Sequence, residues 1–232
     1  DEHMNRLKEG LNYLSLVIPD LFFEELLVDA LSLINRNQLT AGGILRILIY
    51  RKGGAGYTPT RYEFDYVIET ETFESNKFTL NQKGLLVGIS ETVTLNPSNE
   101  SELKTLNKIP YIMASIEAVK KGWDDILILN QKENIAEAAS SNLFLLKNGE
   151  LLTPRLNNGI LKGISRQKVI DLAKKNAWTI TEVDLSESDL LIADEVFLTN
   201  SISGVKWIGS YKKKRYFNTL SKRIITYFNR DF

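Results

Sequence analysis

The 232 residues contain no cysteine, and the only histidine is His3. The first absence excludes a cysteine nucleophile, a thiolate zinc site and a disulfide framework, and the second leaves almost no material for a histidine-based triad. A chain without disulfides fits a reducing compartment. Charge of one sign is lacking too. Lys plus Arg and Asp plus Glu each number 29, for a formal net charge of zero, which argues against a general nucleic-acid binder. Long hydrophobic runs are also absent. The most apolar stretch, residues 11–30, is broken by Asp20, Glu24 and Glu25, so nothing reaches membrane-spanning length. No secretory signal opens the chain. These absences lead us to expect a soluble, cytoplasmic protein with no membrane, nucleic-acid or metal partner. Any chemistry must run on lysine, carboxylates, hydroxyls or a borrowed cofactor.

Hydrophobic residues make up 43% of the chain, enough for one large domain or two modest ones. Their patterning divides near residues 72–77. Before that point a helix is expected over 4–16, with Leu7, Leu11 and Leu14 on one face. Pro19-Asp20 introduces a second helix carrying Phe22, Leu26, Leu27 and Leu31. Strands over 44–50 and 62–69 follow, joined by the loop Gly53-Gly54-Ala55-Gly56. That loop lacks the Gly-Lys-Ser/Thr ending of a nucleotide-binding P-loop and reads as a turn. The polar stretch Thr72-Phe73-Glu74-Ser75-Asn76-Lys77 is the candidate linker between a small domain (1–71) and a larger one (78–232).

In the second part a strand is expected over 84–94. Ile109, Ile112, Ile116 and Val119 then form an apolar stripe on a helix that Gly122 ends. Strands are expected at 126–129, 135–138 and 143–146. Asn148-Gly149 is a strong two-residue hairpin signal leading into Leu151-Leu152. Glu137 therefore belongs on or beside a sheet. After Gly163, the pattern Val169, Ile170, Leu172, Ala173 marks a helix whose amino end lies near Ser165, where free N–H groups suit a phosphate. The basic run Lys212-Lys-Lys-Arg215 reads as a solvated turn.

Four pieces stand in an order that carries chemistry: Leu103-Lys104-Thr105-Leu106-Asn107, then Glu137 to Phe144, then Gly163-Ile164-Ser165-Arg166, then Thr199-Asn200-Ser201. A lysine, a carboxylate and two phosphate-friendly loops read together as a pyridoxal 5'-phosphate site. Lys104 would form the Schiff base and act as the catalytic proton carrier. Glu137 would face the pyridine nitrogen. Taken singly, each piece has a blander reading: Lys104 and Arg6 as surface charges, Glu137 on an exposed sheet face, Ser165 and Ser201 as caps or turns.

The same segments resemble the class IV aminotransferases, the fold-type IV group of pyridoxal phosphate enzymes. His3-Met-Asn-Arg6-Leu7 is similar to the family's His-x-x-Arg-Leu. Arg51 to Pro59 resembles a glycine-rich turn of its small domain. The Lys104 run, Glu137 through Arg166, and Ala193 through Ser201 complete the match. The resemblance implies an α+β, two-domain fold with a small α/β N-terminal domain and a larger β-rich C-terminal domain. It also implies a homodimer, with the cofactor held by Arg6, Lys104, Glu137, Ile164, Ser165 and Ser201. His3 would pack or hydrogen-bond near the phosphate arginine.

Two departures from the family pattern bear on substrate. The family has several tens of residues before His-x-x-Arg-Leu, so the small domain is expected to lack its first strands here. Branched-chain members carry a tyrosine five positions after the Schiff-base lysine, where this chain has Ile109. The Lys-x-Leu-Asn run looks more like the 4-amino-4-deoxychorismate lyases, which release pyruvate and 4-aminobenzoate for folate synthesis. The alternatives are a branched-chain or D-amino acid aminotransferase, and a protein that kept the fold without the chemistry.

Overall fold

The structure, a computed structural model, describes residues 2–39, 41–54, 56–73 and 75–231. Ala55 of the glycine loop, Glu74 of the expected linker, and the terminal residues Asp1 and Phe232 lie outside the described residues. Two compact units divide the chain, Asp1–Lys77 and Phe78–Phe232.

The first unit contains α1 (Glu2–Tyr13), α2 (Phe22–Arg36), β1 (Gly43–Arg51) and β2 (Phe64–Thr72). The strands pair antiparallel, with Ile47 opposite Ile68, Ile49 opposite Tyr66 and Arg51 opposite Phe64. Alternation puts the apolar members of these pairs on one face. There they pack with Leu11, Phe22 and Leu26 from the helices. Phe22 meets Phe64 edge-on at 4.8 Å between ring centroids, a favoured aromatic geometry. Both helices differ from the sequence pattern in detail. The first stops at Tyr13, with Ser15 at φ 55, so Leu14 falls beyond the helix and is exposed. On α2, Leu27 and Leu31 are half exposed and Ala30 is buried instead. The last strand runs to Thr72, three residues past the expected end.

In the second unit the elements are β3 (Leu85–Leu95), α3 (Ile109–Lys121), β4 (Asp125–Asn130), β5 (Ile135–Ala138), β6 (Asn142–Lys147), β7 (Glu150–Pro154), α4 (Ile164–Lys175), β8 (Ile180–Val183), α5 (Glu187–Ile192), β9 (Glu195–Asn200), β10 (Gly204–Tyr211), β11 (Lys214–Arg215) and α6 (Thr219–Asp231). Nine strands form one mixed sheet in the order β5-β4-β3-β10-β9-β6-β7-β8, with β11 paired to β10. The sheet curls. The Ile135 N–H on β5 donates to the carbonyl of Leu185, just past β8, at 2.7 Å, so the two ends of the strand order meet.

Most inner strands are buried on both faces, which is why they read as continuous apolar runs. One face packs Phe144 flat on Phe197 across the β6–β9 pair, at 5.1 Å. This stack lies under Val169, Ile170 and Ala173 of α4 and Ile224 and Phe228 of α6. The β6–β7 hairpin turns at Asn148 (φ 51) and Gly149 (φ 80), the two positive angles that a type I′ turn requires.

Helix α3 ends as expected, with Gly122 in the left-handed region at φ 68. Its buried face is not the expected one. Ala114 and Ala118 turn inward against Ile126 and Ile128 of β4, and Glu117 is buried toward β3. The isoleucine stripe faces outward, with Ile109 at 70% and Val119 at 78% exposure. Small residues on the inner face let the helix lie close to the sheet, and the bulky residues are left outside.

A buried carboxylate fastens this helix. Glu117 accepts hydrogen bonds from Ser90 Oγ (2.7 Å), Thr92 Oγ1 (2.6 Å) and the backbone N–H groups of Glu91 (3.0 Å) and Thr92 (3.3 Å). These donors sit where the β3–β4 register shifts, between Ile89 and Thr94. Burial raises the Glu117 pKa, but the four hydrogen bonds outweigh it and bring the carboxyl from 4.5 down to about 2.

Candidate active site

Glu137 lies on β5, opposite Ile128 of β4, and is buried rather than solvent-facing. A lone ionised carboxylate in such a place would be costly. Three donors offset that cost. Glu137 Oε1 accepts the Tyr111 hydroxyl at 2.7 Å. Its Oε2 accepts Asn142 Nδ2 at 2.9 Å and the backbone N–H of Leu161 at 3.1 Å. Burial pushes the carboxyl up to about 7, against the downward pull of Tyr111, the Leu161 N–H, Lys108 and Lys104. The side chain therefore sits near the balance between its charged and neutral forms, and an added positive charge nearby would hold it ionised.

Asn142 is the clamp of this arrangement. Its amide nitrogen also donates to the Leu161 carbonyl at 2.9 Å, tying β6 to the segment that leads into α4. The close fit explains Gly163: a Cβ there would stand 2.0 Å from Asn142 Oδ1. The Lys162 N–H donates to the Glu102 carbonyl at 3.1 Å. That bond anchors the loop bearing Lys104 to the same lead-in. Lys104 itself is exposed on the stretch between the short 3-10 turn Asn99–Glu102 and α3. It lines a depression of about 590 Å³ together with Lys108, Tyr111, Ser115, Lys120, Ala139 and Ser140, among others.

A second cluster forms where α4 begins. Gly163 is the extended N-cap residue, and the first intrahelical bond runs from the Gln167 N–H to its carbonyl at 3.0 Å. The N–H groups of Ile164 and Ser165 have no intrahelical acceptor, as at any helix start. Ser165 Oγ and Ser201 Oγ approach to 3.5 Å, so the two loops named from the sequence come together. Asn200 shapes the second loop. Its Oδ1 accepts the N–H groups of Ile202 (3.0 Å) and Ser203 (2.7 Å), and its Nδ2 reaches Ser141 Oγ at 3.0 Å. Nearby in sequence, Thr199 Oγ1 is buried without a hydrogen-bond partner. A helix start and two facing hydroxyls make a donor-rich cluster of the kind a phosphate takes.

Arg6 stands half-buried on α1 of the first unit; burial lowers its pKa from the ordinary value and Glu9 works the other way. Two other motif residues have structural work. Arg166 is buried, and its Nη2 donates to the Pro154 carbonyl (2.9 Å) and Glu182 (2.5 Å). Glu195 accepts the N–H groups of Leu220 (2.8 Å) and Ser221 (3.3 Å), capping α6.

The sequence reading missed Tyr111 and Lys108. Tyr111 shares a helical face with Ala114 and Ala118 (i, i+3, i+7), so the run of small residues was the available signal. Among the described residues no cluster of acidic or histidine side chains could hold a metal, and no helix is long and apolar enough to cross a membrane.

The profile of the amino-transferase class IV family matches residues 1–211. Aminodeoxychorismate lyase from Vibrio harveyi is 29% identical over 206 residues, covering 88% of this chain and 74% of the relative. The branched-chain-amino-acid aminotransferase of Escherichia coli (strain K12) is 28% identical over 211 residues, covering 88% of this chain and 67% of the relative. A crystal structure of the Escherichia coli branched-chain amino acid aminotransferase superposes with a TM-score of 0.88 at 26% identity, covering 100% of this chain and 78% of that one. With a match that spans nearly its whole length, this chain belongs to the class IV amino-transferase family.

Proposed function

We propose that the protein is a 4-amino-4-deoxychorismate lyase with Lys104 as its catalytic residue. Pyridoxal 5'-phosphate is the cofactor of its family, and the chain is a pyridoxal-phosphate-dependent enzyme. When bound, the cofactor supplies an electron sink for negative charge developing on the substrate carbon. Ser165, Ser201 and the α4 N–H groups of Ile164 and Ser165 hold its phosphate, with Arg6 contributing a fixed charge and a forked donor set. Glu137 faces the ring nitrogen and keeps it protonated. Lys104 Nζ would hold the cofactor through its aldehyde carbon, with loss of water. As a free amine, Lys104 would be the base that carries the proton of the substrate's amine-bearing carbon.

The observation that carries the lyase reading is the lining beside Lys104, where Lys108 and Lys120 place two further cations around one depression. The lyase substrate bears two carboxylates, whereas the side chain of a branched-chain amino acid is uncharged. The Lys104-Thr-Leu-Asn107 run and the aliphatic Ile109, where branched-chain members have a tyrosine, point the same way. Ile112, Ile116 and Val119 along the same depression favour the second reading, an aminotransferase for branched-chain or D-amino acids. A homodimer acting in the cytoplasm fits either, and the outward apolar stripe of α3 supports association of two copies.

One assay separates the two reactions. With aminodeoxychorismate and no 2-oxo acid we expect steady release of 4-aminobenzoate, and with leucine or D-alanine plus 2-oxoglutarate little glutamate. Rapid glutamate formation without 4-aminobenzoate release would make the aminotransferase reading correct. Borohydride reduction followed by peptide mapping is expected to leave the pyridoxyl group on Lys104; finding it on Lys108 or Lys162 would move the site.

A further inference from the structure

A carboxylate has about four lone-pair sites for hydrogen bonds. In Glu137 both sites on Oε2 are taken, by Asn142 Nδ2 and the Leu161 N–H, and one on Oε1 is taken by Tyr111. We infer that Tyr111 is a positioning residue for the cofactor ring: its hydroxyl, fixed on Glu137 Oε1, leaves one lone pair of that oxygen as the docking point for the ring N–H. The inference rests on the reading of Glu137 as the ring nitrogen's partner. Asn142 and the Leu161 backbone hold the far side of the carboxylate, Tyr111 holds the near side, and the group can neither rotate nor offer its other oxygen.

The surroundings of Tyr111 suit a permanent donor. Burial first, then Glu137, drives its phenol pKa far above the ordinary value of 10, so the hydroxyl keeps its proton throughout the working range. The Lys108 ammonium lies 4.6 Å from the ring centroid, a cation–π contact that steadies the ring. The groups acting on Glu137 come from each neighbouring element: Tyr111 from α3, Lys108 at its N-cap, Lys104 from the preceding loop, Asn142 from β6 and the Leu161 N–H from the α4 lead-in. Of these, Tyr111 alone can lose its donor through one atom while its packing stays the same.

Tyr111→Phe performs that deletion. In the cofactor-free protein carrying 13C-carboxyl glutamate, the Glu137 resonance is identified by its loss in Glu137→Gln. Its titration midpoint in the parent is expected near 7. In Tyr111→Phe it should rise by about one unit, a tenfold change in proton affinity. With 15N-labelled cofactor bound, the ring-nitrogen signal should shift toward the unprotonated form. In turnover kcat should fall about tenfold with KM little changed. A merely structural tyrosine would lower the melting temperature and leave the titration and the nitrogen signal in place, and that result overturns the inference. If Tyr111→Phe fails to fold, site-specific 3-fluorotyrosine at position 111, a stronger donor, should move the Glu137 midpoint downward; no movement overturns the inference equally. An unchanged 15N signal in Glu137→Gln would instead remove the underlying reading of Glu137. A changed signal there, with none in Tyr111→Phe, removes only the role of Tyr111.

Discussion

Replacing Glu117 by glutamine tests whether a buried carboxylate fastens α3 to the sheet. The carboxylate accepts from two hydroxyls and two backbone N–H groups at 2.6–3.3 Å. An amide of the same shape has one acceptor oxygen and turns its NH₂ toward the remaining donors. The hydroxyls of Ser90 and Thr92 can rotate away, but the N–H groups of Glu91 and Thr92 cannot, so at least one is left short. Hydrogen bonds to a charged acceptor contribute roughly 1.5–3 kcal/mol each, and a buried unsatisfied donor costs about 1–3 kcal/mol. A net loss of about 2–3 kcal/mol follows, or about 4–12 °C in melting temperature for a protein of this size.

The loss depends on pH with a definite sign. The folded pKa, about 2, lies below the ordinary 4.5, so the carboxylate stabilises the folded state above pH 4.5, and that contribution fades as pH falls toward 2. The gap between parent and Glu117→Gln should therefore be full at pH 7, narrower at pH 4 and nearly closed near pH 2, as read by calorimetry across buffers. A gap under about 1 °C at neutral pH, or one that does not narrow in acid, would refute the reasoning.

Other substitutions probe separate parts of the chain. Glu195→Ala should uncap α6 and lower stability by about 2–3 kcal/mol in chemical denaturation, because the buried Leu220 and Ser221 N–H groups lose their acceptor. Gly163→Ala should force Asn142 away from Glu137, since the added carbon would stand 2.0 Å from its Oδ1; we expect a kcat loss of about 10-fold or more that tracks with altered cofactor absorbance. If Arg6 holds the phosphate as proposed, Arg6→Ala should raise the dissociation constant for pyridoxal phosphate about 10-fold or more, measured by fluorescence titration, through loss of a charge-assisted contact. Equal affinity in parent and Arg6→Ala would place the phosphate contacts entirely elsewhere.

Legibility in the sequence followed the range of the forces involved. The Asn148-Gly149 hairpin and the Gly122 cap are short-range backbone demands, and both were readable at once. The buried strands around Glu137 announced themselves as apolar runs. The inner face of α3 did not, because pattern reading assigns the bulkiest side chains to the core, while here alanines lie inward and isoleucines outward. Tyr111 and Glu117 were hidden by the same inversion. Lys104, Glu137, Ser165 and Ser201 are singled out by ordered motifs. What those motifs could not convey is long-range: Asn142 bridging Glu137 to the Leu161 segment, Ser201 meeting Ser165 from 36 residues away, and Arg166 spent on Pro154 and Glu182.

The bond from Ile135 to Leu185 has a consequence for how copies of this protein can meet. A short strand at the margin of a sheet exposes backbone donors and acceptors that invite another polypeptide to add on, the usual route to open-ended fibrous growth. Here β5 spends an outward N–H on its own chain, at the point where the two margins come together. The strand carrying Glu137 is thus a poor template for intermolecular pairing there. The proposed pairing of two copies would then fall to side-chain surfaces such as the outer face of α3, whose contacts can close into finite, symmetric assemblies.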